Sequence, residues 1–221
     1  MSKTAVLIGA TGLTGNYLLQ ELLNDPFYAT IKILIRRPLD INNSKLEKKI
    51  VDFNDSDSVL IAISNSDAVF CAVGTTQKNV KGDKEAYRKV DFDIPVRVAR
   101  FCKMTGCEKF VFVSAVGANS SSRNFYLRLK GEVEDTIKET GLKSVHIMRP
   151  SMLLGDRKEF RLGEKISKGM MSALSLMIPS KYKPVHAKDV AKAMLAVSKQ
   201  DKEGFFIYHY KEIIELLTQS K

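Results

Sequence analysis

The sequence is short of the features that most often assign a protein at sight. No apolar run approaches the roughly 18 residues of a membrane-spanning helix, so no span is expected. The three cysteines, Cys71, Cys102 and Cys107, are odd in number, and their spacings fit neither a zinc site nor a disulfide framework; buried thiols are the plainer expectation. His146, His186 and His209 stand apart from other ligand types at metal-binding spacing, so no metal centre is expected. A glycine-lysine-serine phosphate loop is missing too, because Gly15 is followed by Asn16 and Tyr17. There is no internal repeat or low-complexity tract. A basic segment, apolar stretch and cleavage site of the secretory kind are absent at the start, which leads us to expect a cytoplasmic protein. The net charge of +10 comes from scattered Lys and Arg rather than a basic tract, so nucleic acid is an unlikely partner.

What is present begins at the first strand. Ala5 to Ile8 is a continuous apolar run of the kind found in parallel strands buried on both faces. Gly9, Gly12 and Gly15 follow it at intervals of three, and Leu13, Tyr17, Leu18, Glu21 and Leu22 then recur with helical spacing. Strand, glycine turn and helix in this order predict an anion site, because the first N–H groups of a helix lack intrahelical partners; a merely tight strand-helix connection is the competing reading. Gly9 would permit the tight turn, Gly12 would let a pyrophosphate approach the backbone, and Gly15 would let helix pack closely on strand.

Apolar strands and amphipathic helices then alternate. Strands are expected at Ile31–Ile35, Lys49–Phe53, Ala68–Val73, Phe110–Val113 and Ser144–Met148, and helices over 57–64, 85–90, 94–104 and from Tyr126 to about Thr140. Proline and Asp93 interrupt the middle pair at 93–95. Six rounds of this alternation predict an α/β fold, a Rossmann-type, doubly wound parallel sheet in a single 1–221 domain. Residues 151–221 would contribute a small substrate or interaction region, including the methionine-rich stretch 170–178, a helix over 187–198, an edge strand at Phe205–Tyr208 and a helix over 212–217.

Arg36 and Arg37 end the second strand, and no acid occurs until Asp40. Arginine there accommodates the 2′-phosphate of NADP, whereas an acid would hold the ribose hydroxyl of NAD, so NADP(H) is the expected cofactor. Which arginine makes the contact stays open. Asp52 and Phe53 fall at the adenine edge, Gly74-Thr75-Thr76 would run alongside the cofactor, and Gln77 to Asp83 reads as a mobile loop over the site.

Ser114 closes the fifth strand at the sheet edge where ligands sit, Tyr126 follows twelve residues later, and Lys130 lies one helical turn beyond on the same face. Carbonyl reduction needs such a set. Hydride transfer to a carbonyl carbon leaves charge on oxygen, and a positioned acid must supply a proton. Tyrosine can do so if a cation favours its phenolate, because its ordinary pKa is about 10. Lys130 is placed to be that cation and to hold the nicotinamide ribose, with Ser114 orienting the carbonyl oxygen. A chance surface pair is the competing reading of Tyr126 and Lys130 in a lysine-rich chain.

With these motifs in place, the chain resembles the short-chain dehydrogenase/reductases of the atypical, extended-like kind. Gly74-Thr75-Thr76, Val90-Asp91, Tyr126-Leu127 through Lys130-Gly131-Glu132-Val133-Glu134, and Arg149-Pro150 through Leu153-Leu154 with Asp156-Arg157 look like its Tat-interacting-protein oxidoreductase branch. The resemblance implies NADPH bound by Gly9, Ala10, Thr11, Gly12, Leu13, Thr14 and Gly15, by Arg36 and Arg37, beside Ala72, Val73 and Gly74, with Leu153 and Arg161 as further contacts. Tyr126 and Lys130 would take the active-site roles. The expected activity is reduction of a small-molecule carbonyl. Its rivals are a non-catalytic NADPH-sensing protein that binds a protein partner, and an epimerase or dehydratase acting on a nucleotide sugar.

Overall fold

The computed structural model describes residues 2–76, 80–155 and 179–219. Seven strands build one sheet: β1 Lys3–Ile8, β2 Tyr28–Ile35, β3 Leu46–Ile50, β4 Ala68–Cys71, β5 Lys109–Val113, β6 Ser144–Met148 and β9 Gly204–Tyr208. Their order is β3-β2-β1-β4-β5-β6-β9, and every pairing is parallel. The expected Rossmann-type doubly wound sheet is therefore observed. Strand order reverses between β1 and β4, and the crevice for a ligand opens at the carboxyl ends of the strands there.

Apolar side chains from alternate strand positions feed two cores. On one face, α1 (Leu13–Asn24), α6 (Ala187–Ser198) and α7 (Tyr210–Gln219) cover Leu7, Ile33, Phe70, Val111 and Met148. On the other, α2 (Ser56–Ile63), α4 (Ile94–Thr105) and α5 (Phe125–Glu139) cover Val6, Leu34, Val69, Phe110, Phe112 and Ile147. Burial on both faces is why the central strands read as unbroken apolar runs. A short parallel pair, β7 (Leu153–Leu154) with β8 (Val185–His186), stands beside the main sheet in the smaller C-terminal region.

Some local expectations shift. The third strand is Leu46–Ile50, earlier than Lys49–Phe53, because an edge strand tolerates the exposed Glu47 and Lys48 that hide it from an apolar reading. The expected break at 93–95 is no break: α3 (Lys84–Arg88) passes through a π-helical turn, Lys89–Asp93, directly into α4. The edge strand starts at Gly204 and the last helix at Tyr210. Of the proposed loop, Val80–Asp83 forms a turn, while Gln77 and its two successors lie outside the described residues, as do Asp156, Arg157, Arg161 and the methionine-rich stretch 170–178.

His146 is fully buried within β6, and its ring nitrogens bond to Ser144 of the same strand and Tyr208 of β9. The Ser144 hydroxyl donates to the Lys202 carbonyl at 2.6 Å, so its oxygen accepts from His146 Nε2 at 3.0 Å. The Nδ1 lone pair then accepts the Tyr208 hydroxyl at 2.9 Å, which assigns the neutral tautomer.

Candidate functional site

The glycine turn has the geometry its spacing foretells. Gly9 adopts φ +89°, a left-handed conformation that disfavours side chains, and a Cβ there would meet the Ala72 carbonyl at 2.7 Å. Its own carbonyl accepts the Gly12 N–H at 2.9 Å. A Cβ on Gly15 would stand 2.0 Å from that same oxygen, so helix and turn approach as closely as backbone allows. Ala10 and Thr14 are buried behind the turn, Leu13 is half-buried, and Thr11 and Gly12 are exposed. The first turn of α1 carries no acid, and no side chain caps it. Its N–H groups thus face the crevice without an internal acceptor, which fits the pyrophosphate of a dinucleotide.

Register places the remaining edge residues around this turn. Ile8 pairs with Leu34 and with Cys71, so Arg36 falls level with Ala10 on one side and Ala72 and Val73 run past Gly9 on the other. Arg36 and Arg37 are exposed. The Asp52 carboxylate accepts from Asn54 in a local turn, and the Phe53 carbonyl accepts from Arg97 of α4. Leu153 packs against the α1 side of the core, and Gly155 lies 3.1 Å, measured from a Cβ built there, from the Leu13 side chain. The β7 end thereby reaches the same crevice.

Tyr126 and Lys130 meet as the helical spacing requires. Tyr126 is half-buried in the first turn of α5, which Asn124 caps by accepting from Leu127 N–H at 3.1 Å. Lys130 is 3% exposed, its Nζ lying 6.0 Å from the Tyr126 ring centre and 5.1 Å from that of Phe112. A surface pair is thereby set aside. The helix is held close by Gly131, where a Cβ would come within 2.1 Å of Ser120 N.

A residue with no role in the sequence reading completes this group. Asp91, 1% exposed, projects from the π-helical turn, and its Oδ1 lies 3.0 Å from Lys130 Nζ. Its Oδ2 accepts the Thr75 N–H at 2.7 Å, and Gly74 passes beside it. Burial works against the Lys130 charge, but the Asp91 carboxylate, Tyr126 and the hydrogen bond to Asp91 outweigh it and hold the lysine above its ordinary pKa. Tyr87, from α3, donates to the Thr75 carbonyl at 3.2 Å and packs edge-on to Tyr126 with ring centres 6.4 Å apart. The sequence marked Asp91 only within the Val90-Asp91 pair that carries the resemblance, and gave it no role.

Ser114 stands at the carboxyl end of β5, 5% exposed, but its hydroxyl donates to Glu134 of α5. Glu134 is buried and receives Arg149 Nε at 3.0 and 3.1 Å. The structure therefore groups the serine with Glu134 and Arg149. Helical spacing marked Glu134 only as part of a continuing helix, because its partners lie on neighbouring strand ends.

Against known proteins, the model of a family described as NAD(P)H-binding matches residues 9–201. The chain belongs to the NAD(P)H-binding family. It is 32% identical over 197 residues to Protein HTATIP2 of Rattus norvegicus, covering 88% of this chain and 80% of that one. To the mitochondrial Protein FMP52 of Candida albicans it is 33% identical over 204 residues, covering 90% and 89%. Among solved structures, MoeE5 in complex with UDP-glucose and NAD superposes with a TM-score of 0.71 at 17% identity, over 99% of this chain and 82% of that one.

Family membership widens the cofactor. The expectation of NADP(H) in particular is overturned: solved structures of this fold were captured with NAD. Physically, Arg36 and Arg37 are solvated at a strand end, and exposed arginines do not by themselves fix a 2′-phosphate. The family's cofactor class, NAD(P), is what the chain is assigned. Among the described residues no group of three or more acidic, His or Cys side chains could hold a metal, and no helix is long and apolar enough to cross a membrane.

Proposed function

We propose that the protein is an NAD(P)(H)-dependent oxidoreductase of the short-chain dehydrogenase/reductase kind, acting at a carbonyl or hydroxyl carbon of a small molecule. The observation that carries this reading is the buried Lys130 one turn from the half-buried Tyr126, beside the uncapped glycine turn. The cofactor, when bound, supplies or accepts hydride. Gly9 to Gly15 would hold its pyrophosphate, Lys130 would hydrogen-bond the nicotinamide ribose, and Tyr126 Oη would pass a proton to or from the substrate oxygen. Tyr87, packed edge-on to the Tyr126 ring, would shield that oxygen on one side. The 32% identity to rat HTATIP2 supports placing the chain in the Tat-interacting-protein branch.

Changing Tyr126→Phe tests the reading. Affinity for NADH and NADPH should stay within about twofold, while turnover over a panel of carbonyls and alcohols falls by at least about a hundredfold, the lower end of what a general acid contributes. Undiminished turnover would remove Tyr126 from the mechanism.

A second reading, a cofactor-binding protein that serves a protein partner, is favoured by Ser114, whose hydroxyl hydrogen is held by Glu134 and is not free to donate to a substrate carbonyl. Absence of turnover over the whole panel, with a partner's affinity changing on cofactor binding, would support it. Cofactor that copurifies and is not exchanged would instead favour an epimerase or dehydratase, the kind of enzyme to which the solved UDP-N-acetylglucosamine 4-epimerase of Bacillus cereus belongs.

A further inference from the structure

A lysine alone in an apolar site and a lysine paired with an aspartate present different fields to a ligand. Lys130 and Asp91 are 3% and 1% exposed, and their charged atoms are 3.0 Å apart. Such a pair acts at a distance as a dipole, with no net charge. Beside it Thr75 and Phe112 are uncharged, and burial first of all pushes the Cys71 thiol up to about 12, so it stays protonated at neutral pH, while Tyr126 is common to every variant compared. Of the cations around it, Lys84 sits over the Phe125 ring at 5.6 Å, and Arg88 is paired with Glu132 at 2.7 Å.

Net charge matters at this place because the two redox forms of a nicotinamide differ there and nowhere else. The oxidised ring carries a positive charge and the reduced ring none, while phosphates, riboses and adenine are common to both. An unpaired Lys130 would therefore penalise the oxidised form. We propose that Asp91 is a specificity-determining residue that sets the redox preference of the cofactor site, by cancelling the Lys130 charge so that the oxidised cofactor is not rejected. The inference rests on the proposed placement of the nicotinamide end against Tyr126 and Lys130. It gives the π-helical turn a task, since that turn aims Asp91 inward.

The test is the ratio of dissociation constants for NAD+ and NADH, and for NADP+ and NADPH, measured by calorimetry at constant salt and pH. Asp91→Asn leaves Lys130 uncompensated and should move the ratio about tenfold or more toward the reduced form, given a unit charge a few ångströms from the ring at an effective dielectric near 20. Lys130→Met leaves the acid and should move it the opposite way. The double variant should return near the wild-type ratio. Equal weakening of both forms in Asp91→Asn is what a merely structural residue would give, and it overturns the proposal. If that variant does not fold, an unchanged ratio in Lys130→Met overturns it instead. A wild type that binds none of the four nucleotides refutes the cofactor site itself, a different failure from an unmoved ratio.

Discussion

Acid should loosen this fold through one histidine. His146 is fully buried, and burial, then the nearby Lys109 and Lys202 charges, depress its pKa from the usual 6.5 to about 4. In the folded chain Nδ1 accepts the Tyr208 hydroxyl, so a proton there would displace that bond as well as bury a charge. Between about 4 and 6.5 the unfolded chain binds more protons at this site than the folded one. The stability tied to a neutral His146 is thus complete above about pH 6.5 and is lost as pH falls towards 4, with no further loss from this group below. At roughly 1.4 kcal/mol per pH unit, the full loss is about 3 kcal/mol, and the loss by pH 5 about 2 kcal/mol. Urea unfolding of wild type and His146→Gln at pH 7, 6 and 5 would measure it. Other titrating groups, among them His209, whose pKa burial lowers, are common to both proteins. The gap between the two stability curves should close by about 2 kcal/mol from pH 7 to 5. A constant gap would mean that His146 is not held neutral by its surroundings, and the argument from burial would fail.

Two glycines give sharper steric expectations. Gly15→Ala should cost about 3 kcal/mol or more, because its Cβ would lie 2.0 Å from the Gly9 carbonyl oxygen, and it should abolish dinucleotide binding; wild-type thermal stability together with wild-type affinity would refute the close approach. Gly131→Ala, with Cβ 2.1 Å from Ser120 N, should push α5 off the 117–124 loop, costing about 2 kcal/mol and lowering turnover more than cofactor affinity; calorimetry beside steady-state kinetics would separate the two.

What could be read in the sequence was what is local or repeats. The run Ala5–Ile8, the glycines and the helix after them are encoded within twenty residues, and the sheet followed because each buried parallel strand is apolar on both faces. At the edge the rule weakens: β3 carries Glu47, Lys48 and Lys49 and was misplaced by three residues. Tyr126 and Lys130 were legible because helical geometry alone puts them on one face. Their setting was not, since Asp91 reaches Lys130 across 39 positions and Ser114 reaches Glu134 across 20, and partners at such distances are set by strand order and helix docking. The arginine pair was legible as a motif and misleading as a cofactor code, because a phosphate contact and a solvated pair at a strand end, the competing reading, look the same in sequence. Arg161 and the methionine-rich stretch lie outside the described residues.

The turn at Lys89–Asp93 means that the helical rod from Lys84 to Thr105 is wound one residue looser than an α-helix at a single place. Each residue of an α-helix advances the chain by about 100°. Removing one residue from that turn would rewind it to an α-turn, leaving α3 and α4 nearly in phase but taking out the bulge that carries Asp91 inward. The alignment of Thr75, Asp91 and Lys130 is therefore written in the length of the chain between 84 and 105 as much as in the identity of its residues, and a substitution and a deletion there are different kinds of change.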